Sequence, residues 1–351
     1  MKRFGNLYEK IKDLDNIRLA HHNASKGKKY YDEVKVVDAN LEEHINKIHN
    51  MLKDKTFKNS EYYVFKRDFD GKEREIFKLP YFPDRIIHHC IMQITEKIWK
   101  RSLIRDTYSS IKGRGLHDGV RRIKNALKDI EGTRYCLKLD IKKFYPSINH
   151  DVLKQIIRKK IKCQDTLWLL DEIIESTKGV PIGNYLSQYF GNIYLSGLDH
   201  FIKEKFHVKY YFRYCDDIII LTHSKSELWT IFQEINDYCK SIVLSLKGNY
   251  QIFPVDIRGI DFLGYRFFHD FTLLRKSIAL KFKRKIKLIK TEQNIFPNGN
   301  ITNSIMSYYG WMKHADCRQL FTKYVDTNIQ TIIAENCTLL KQKNPLEEVL
   351  V

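Results

Sequence analysis

The sequence predicts an α+β fold: helices alternate with a few short strands, and the C-terminal part is helical. Two short runs, 134–139 with Tyr, Cys and two Leu, and the β-branched 218–221, have the character of buried strands. Tyr210, Tyr211 and Phe212 on one side, and Ile218 to Leu221 on the other, flank Cys215-Asp216-Asp217 as two strands flank a tight turn. Most other segments carry apolar residues three or four apart, the helical period.

In chain order, 1–60 is polar and helical, with Leu41, His44, Ile45, Ile48 and Leu52 on one face. Residues 61–67 and 73–79 are strands around a turn at 68–72, a basic hairpin. A helix over 83–103 follows, then a loop at 109–116 containing Lys112-Gly113-Arg114-Gly115, then a helix over 117–129. The strand 134–139 ends at Asp140. Helices are predicted over 150–161 and 165–177, a break at Gly179-Val180-Pro181-Ile182-Gly183, and a helix from Tyr185. The hairpin 208–222 and a helix over 225–240 precede short strands near 242–246 and 260–268. Helices over 276–290 and 303–334 close the chain. No repeat and no low-complexity linker interrupts it.

The 351 residues, 43% hydrophobic, can bury a substantial core and suggest two or three domains. Lys and Arg total 61 against 42 Asp and Glu, a net charge of +19, which points to a polyanionic partner, nucleic acid before membrane. The 21 Tyr and 20 Phe among these cations suit backbone neutralisation with base stacking. Seven cysteines, without a CxxC pair, indicate neither a disulfide framework nor a zinc knuckle but reduced thiols of a cytosolic protein. The N-terminus lacks an apolar signal, and no window approaches a membrane span, so a cytoplasmic location is expected.

Alone, Asp140 reads as a cap or turn residue and Asp216-Asp217 as a solvated turn. Together they say more, because one carboxylate ends a strand and a pair occupies a hairpin tip 76 positions later. If the hairpin pairs beside that strand, three carboxylates converge and repel one another. Two Mg²⁺ ions roughly 3.5–4 Å apart would neutralise them and hold the attacking and leaving oxygens of a phosphoryl transfer.

The flanking motifs give this set a family resemblance. Asp140 with Phe144-Tyr145 resembles the first catalytic motif of reverse transcriptases, and Tyr214-Cys215-Asp216-Asp217 resembles their Tyr-x-Asp-Asp box. Lys72-Glu73-Arg74 with Pro83-Asp84-Arg85-Ile86-Ile87, and Lys112 to His117, resemble the fingers motifs. Pro181 to Gln188 resembles the motif under the incoming nucleotide. Leu246-Lys247-Gly248 and Gly259 to Tyr265 resemble the end of the palm, and Tyr308 to His314 a thumb helix. The likeness covers roughly 60–325. It implies a right-hand polymerase, with an antiparallel palm sheet and flanking helices. The expected parts are an N-terminal helical extension (1–60), interleaved fingers and palm (61–268), a helical thumb (269–335) and a tail (336–351).

One departure narrows the resemblance. Most reverse transcriptases carry Gln-Gly…Ser-Pro where this chain has Ile182-Gly183…Ser187-Gln188. This version resembles the enzymes of diversity-generating retroelements and their bacterial relatives, some of which act in anti-phage defence. In the retroelement group copying is error-prone at template adenines, and an apolar Ile182 in place of an amide removes a polar contact to the nucleotide. The retron signatures Asn-Ala-x-x-His and Val-Thr-Gly are absent from the sequence, and the length leaves no room for an RNase H or endonuclease domain.

The resemblance implies the following roles. Asp140 and Asp216 are the expected metal ligands, Asp217 completes the acidic cluster, and Ile141 lends a backbone carbonyl. Tyr145 is a gate that clashes with a ribose 2′-hydroxyl, or a plain core aromatic. Lys72 and Arg74 meet the triphosphate, with Ile182 and Gly183 also at the dNTP. Lys112, Arg114, Asn184 and Gln188 contact template or primer. Arg85 reads equally as a helix-start residue. Lys247 is a general acid toward pyrophosphate, or a surface lysine. Residues 271–290 hold eight Lys or Arg, and Lys283, Arg284, Lys287 and Lys313 are expected to track the template–primer backbone.

The implied reaction is cDNA synthesis from an RNA template by a bacterial or phage-encoded enzyme. The expected partners are a DNA or RNA primer, dNTPs, and further a structured non-coding RNA and an accessory protein, without a membrane. The rival readings are an RNA-directed RNA polymerase on the same palm and a non-catalytic RNA-binding relic. Priming from a tyrosine hydroxyl of the protein itself stays open.

Overall fold

The computed structural model describes residues 3–69, 71–291 and 298–325. The chain opens with α1 (Tyr8–Ile11), α2 (Leu14–Ser25), α3 (Asp32–Ala39) and α4 (Leu41–Lys53). Asp13 caps α2, accepting the Asp15 and Asn16 N–H groups at 3.1 Å. The predicted face of α4 is buried at Ile45, Ile48 and Leu52. The basic hairpin is β1 (Tyr63–Phe69) and β2 (Lys72–Lys78), antiparallel with Phe69 opposite Lys72. Its turn is therefore tighter than the sequence suggested. Then come α5 (Ile86–Lys100), α6 (Leu116–Ala126), β3 (Tyr135–Asp140), α7 (Phe144–Ser147), α8 (His150–Arg158) and α9 (Gln164–Ile174). The expected helix after Tyr185 is two: α10 (Tyr185–Tyr194) and α11 (Ser196–Lys205).

The central hairpin is β4 (Tyr210–Tyr214) and β5 (Asp217–Thr222), followed by α12 (Lys225–Ser241), β6 (Gln251–Pro254) and α13 (Val255–Arg258). The described chain ends with β7 (Ile260–Phe262), β8 (Tyr265–Phe267), β9 (Thr272–Leu274), α14 (Lys276–Thr291), α15 (Asn298–Met312) and α16 (Arg318–Tyr324).

The α+β class holds, with two local corrections. The strand near 242–246 does not form. Leu244 N–H instead bonds back to Cys239 at the end of α12, and only the single bridge Ile141–Leu246 remains. The ladder position goes to β6, which the sequence reading missed. The long helix over 303–334 is interrupted because Asp316 turns toward β9: its N–H donates to the Thr272 carbonyl and its carboxylate accepts the Thr272 N–H, both at 2.7 Å. Residues 326–335 and the predicted tail lie outside the described residues.

The chain divides into two compact units. The first comprises Met1–Gly115, Leu137–Leu221 and Lys225–Ile252; the second comprises Leu116–Cys136, Thr222–Ser224 and Phe253–Val351. The N-terminal helices share a unit with the hairpin and the central sheet. The sheet of the first unit has the order β4-β5-β3-β6. Leu137, Leu139, Tyr211, Phe212 and Ile218 to Leu221 are buried, and Trp99 of α5 packs on Tyr189 and Phe190 of α10. In the second unit β7, β8 and β9 form an antiparallel sheet, and α14 buries Phe282, Ile286 and Ile289 with lysines between them. Among the described residues no helix is long and apolar enough to cross a membrane, and six cysteines are free thiols.

Candidate active site

Asp140 is the last residue of β3, and β5, which begins at Asp217, is the neighbouring strand. The strand is held at its end by the 245–247 segment. Lys142 N–H donates to the Ser245 carbonyl and Lys247 N–H to the Asp140 carbonyl, both at 2.8 Å. That backbone bond delivers the Lys247 ammonium to Asp140 Oδ2 at 2.6 Å. The other oxygen, Asp140 Oδ1, is buried without a hydrogen-bond partner among the described residues.

Asp216 lies in the two-residue connection of the β4–β5 hairpin, where Tyr214 pairs with Asp217. Connections of this length ordinarily place glycine at a positive φ. Here Cys215 takes φ 58°, a conformation that costs a non-glycine residue about 1–3 kcal/mol. Two bonds hold it: Arg213 Nη1 donates to the Cys215 carbonyl at 3.0 Å, and the Cys215 thiol donates to Tyr145 Oη at 3.2 Å. Burial pushes the thiol up to about 12, with the Asp216 charge adding to it, so Cys215 is a packing residue and not a nucleophile.

Burial also raises the Asp216 carboxyl above its ordinary range, and the charge of Asp140 raises it further, while Lys247 partly offsets both. The two carboxylates are thus within electrostatic reach of each other. Among the described residues no group of three or more His, Cys, Asp or Glu is gathered closely enough to hold a metal ion. Lys247 supplies positive charge at Asp140 instead. The donor set still suits a hard divalent cation. It is all oxygen, it carries excess negative charge, and Asp140 Oδ1 is a buried acceptor that none of the described residues satisfies.

Tyr145 lines this site from α7, half-buried, with its hydroxyl raised by burial and by the charges around it. Two glycines let neighbours close on it. A Cβ at Gly191 of α10 would stand 3.0 Å from Phe144 and 3.2 Å from Tyr145; one at Gly179 would stand 2.7 Å from the Tyr145 carbonyl. The 182–183 segment is tied to the basic hairpin. Phe77 N–H of β2 donates to the Ile182 carbonyl at 2.9 Å, and Gly183, at φ 122°, has its α-carbon so close that a Cβ would lie 2.7 Å from the Phe77 carbonyl oxygen.

Comparison with known proteins identifies this arrangement. Residues 64–267 match the family "Reverse transcriptase (RNA-dependent DNA polymerase)". The chain belongs to the reverse transcriptase family. It is 25% identical over 150 residues to Protein YkfC of Escherichia coli K12, covering 39% of each chain. It is 27% identical over 179 residues to the group II intron-encoded protein LtrA of Lactococcus lactis, covering 47% of this chain and 29% of that one. The chain thus spans well under half the length of these curated relatives. Its fold is similar to that of telomerase from Candida albicans, solved with a TWJ fragment of telomeric RNA (TM-score 0.50, 14% identity, 82% of this chain and 61% of that one). The α+β right-hand polymerase class follows from the family and this fold.

The remaining predicted residues of this reverse transcriptase are scattered over both units. Arg74 is exposed on β2 opposite Arg67; the Lys72 side chain lies outside the described residues. Ile141 is fully buried, and Lys112 is exposed, its carbonyl accepting the Lys100 ammonium. Arg114 bends back to the Ile104 carbonyl at 2.5 Å, which braces its own loop. Asn184 turns inward and donates to Tyr62 Oη at 3.0 Å, whereas Gln188 is exposed on α10. That bond ties the Asn184 amide to the Tyr62 hydroxyl within the first unit. In the second unit Arg284, Lys287 and Lys313 are exposed, and Lys283 lies over the Tyr324 ring at 5.2 Å.

The sequence reading missed Arg213. It is fully buried in β4 and paired with Asp199 of α11, also fully buried. Tyr211 and Thr107 donate to the same carboxylate. The signal was a lone arginine in an otherwise aromatic strand, Tyr210 to Tyr214, where an unpartnered charge could not survive burial.

Proposed function

We propose that the chain is an RNA-directed DNA polymerase. The observation that supports this best is the pair Asp140 and Asp216: two carboxylates from separate strand ends, electrostatically coupled, one with a buried and unsatisfied oxygen. The primer 3′-hydroxyl attacks the α-phosphorus of a dNTP. The new O3′–P bond forms as the bond to pyrophosphate breaks, and the hydroxyl proton passes to solvent water. Asp140, Asp216 and Asp217, with the Ile141 carbonyl, would hold Mg²⁺, expected as two ions. Bound there, magnesium supplies Lewis-acid stabilisation of the attacking and leaving oxygens.

The chain's own residues position the reactants. Lys247 holds the Asp140 carboxylate, which supports a place for it in the reacting centre. For Lys247 to protonate the leaving pyrophosphate, its ammonium has to leave Asp140 as the cation binds. Tyr145 stands as a wall beneath the sugar, Lys72 and Arg74 take the triphosphate, and Lys112, Gln188, Lys283, Arg284, Lys287 and Lys313 take the template–primer. The net charge of +19 suits such a partner.

Ile182, half-buried where most of the family has an amide, favours the retroelement type that misreads template adenines. The bacterial defence enzymes share that motif. Primer extension on an RNA template decides the main reading: Asp216→Ala should lower it at least about a thousandfold, and equal extension by parent and variant would remove it. Sequencing the products tests the subtype. Errors concentrated opposite adenines support the retroelement, and repeated faithful copying of one small copurifying RNA supports defence.

A further inference from the structure

The Arg213–Asp199 pair is more elaborate than charge neutralisation needs. Arg213 Nε donates to Asp199 Oδ1 at 2.7 Å and Nη2 to Asp199 Oδ2 at 2.6 Å, a two-pronged bond that already satisfies the carboxylate. The third nitrogen, Nη1, reaches elsewhere: to the Cys215 carbonyl at 3.0 Å and to Asn192 Oδ1 at 3.3 Å. Nη2 also donates to the Asn192 carbonyl at 3.3 Å. The side chain is therefore a rivet through three elements: α11 at Asp199, α10 at Asn192, and the turn that carries Asp216.

The bond to Cys215 O has a geometric consequence. The Cys215 carbonyl and the Asp216 N–H belong to one planar peptide. Fixing that oxygen fixes the plane from which Asp216 projects, at a residue whose own φ of 58° is unfavourable. The same α10 carries Gly191, against which the Tyr145 ring packs. One guanidinium thus sets the carboxylate and the wall beside it relative to a common helix. Charge neutralisation alone does not account for this choice, because apolar residues of similar volume often replace a buried ion pair without loss.

We infer that Arg213, seated on Asp199, is a positioning residue for Asp216: it acts through the Cys215 carbonyl and touches neither nucleotide nor primer. This rests on the polymerase reading above.

The test uses the full-length chain. The paired substitution Asp199→Leu with Arg213→Met removes both charges together, and Arg213→Lys keeps the charge but cannot reach Asp199 and Cys215 at once. Three quantities are read: melting temperature, kcat and KM for dNTP on a primed RNA, and Mn²⁺ binding to the protein alone by electron paramagnetic resonance. The paired variant is expected to melt roughly 5–15 °C below the parent, because the buried Tyr211 and Thr107 hydroxyls lose their acceptor. Its kcat should fall roughly 10–100-fold with dNTP KM within about threefold, the signature of a displaced catalytic group. The Mn²⁺ concentration for half-saturation should rise about tenfold. A paired variant that keeps the parent's kcat and Mn²⁺ binding overturns the inference. If that variant fails to fold, Arg213→Lys decides alone, and the parent's kcat in it is equally fatal. Asp216→Ala run alongside separates the two proposals. If it extends as well as the parent, the polymerase reading has failed, and the Mn²⁺ titration, which needs no turnover, still judges Arg213.

Discussion

Lys247 bonds twice to Asp140: its backbone N–H to the carbonyl at 2.8 Å and its ammonium to Oδ2 at 2.6 Å. One residue therefore fixes both the strand end and its carboxylate. Lys247→Met keeps the backbone bond and removes the ammonium, leaving Asp140 with two unsatisfied oxygens. We predict a loss of about 1 kcal/mol in stability, the low end for an orphaned acceptor because the pair is about one-third exposed. Extension should slow at least about tenfold. Magnesium chloride should raise the melting temperature of the variant more than that of the parent, since the ammonium no longer competes for Oδ2. Equal gains in differential scanning fluorimetry would show that Lys247 and the cation do not share Asp140.

Tyr145 is held between Gly191 and the Cys215 thiol. Tyr145→Ala should raise ribonucleotide incorporation relative to deoxyribonucleotide at least about tenfold if the ring excludes a 2′-hydroxyl. Gly191→Ala probes the same wall from behind. Its methyl meets Phe144 and Tyr145 at 3.0–3.2 Å, so a cost of about 1–3 kcal/mol and a weaker sugar preference are expected. Unchanged selectivity in both variants, measured by competing rATP with dATP, would leave Tyr145 as an ordinary packing aromatic.

The parts of this site that were legible in the sequence are those written in local patterns. The β4–β5 hairpin was readable because aromatic and β-branched runs bracket two acidic residues, and β3 because an apolar run stops at Asp140. The partner of Lys247 was not readable. Its contact depends on a segment that fails to form the expected strand and lies 107 positions from Asp140. Arg213 was overlooked for a related reason: its meaning resides in Asp199, on another element, and only burial makes the pair necessary. The break after Met312 was hidden because it follows from Asp316 meeting Thr272, a contact that helical periodicity does not encode.

Gly183 lies where the 182–183 segment meets the basic hairpin. With φ 122° and a Cβ position 2.7 Å from the Phe77 oxygen, Gly183→Ala must push β2 away and strain its own backbone. The hairpin carries Lys72 and Arg74, so the predicted effect falls on nucleotide binding. KM for dNTP should rise about tenfold or more, while Kd for the primer–template changes less than about twofold. A variant with parent KM would mean that the hairpin is positioned without the Phe77–Ile182 bond.

Acid should loosen the first unit through His88 and His89 of α5. Burial and neighbouring cations hold His88 down to about 3 and His89 down to about 4, and His88 Nε2 is buried without a partner among the described residues. Both rings are therefore neutral in the fold. In the unfolded chain histidine titrates near 6.5, so between about pH 6.5 and 4 the unfolded state binds more protons than the native one. Stability consequently falls as pH falls through that window, by up to about 1.4 kcal/mol per pH unit for each ring. Between pH 7 and pH 5 the two together predict a loss of roughly 2–4 kcal/mol. His88→Leu removes one titrating group and should make the decline of melting temperature over this range about half as steep. A parent protein whose melting temperature is flat from pH 7 to pH 5 would mean that these rings gain protons without unfolding, and that the pocket around α5 accepts the charge.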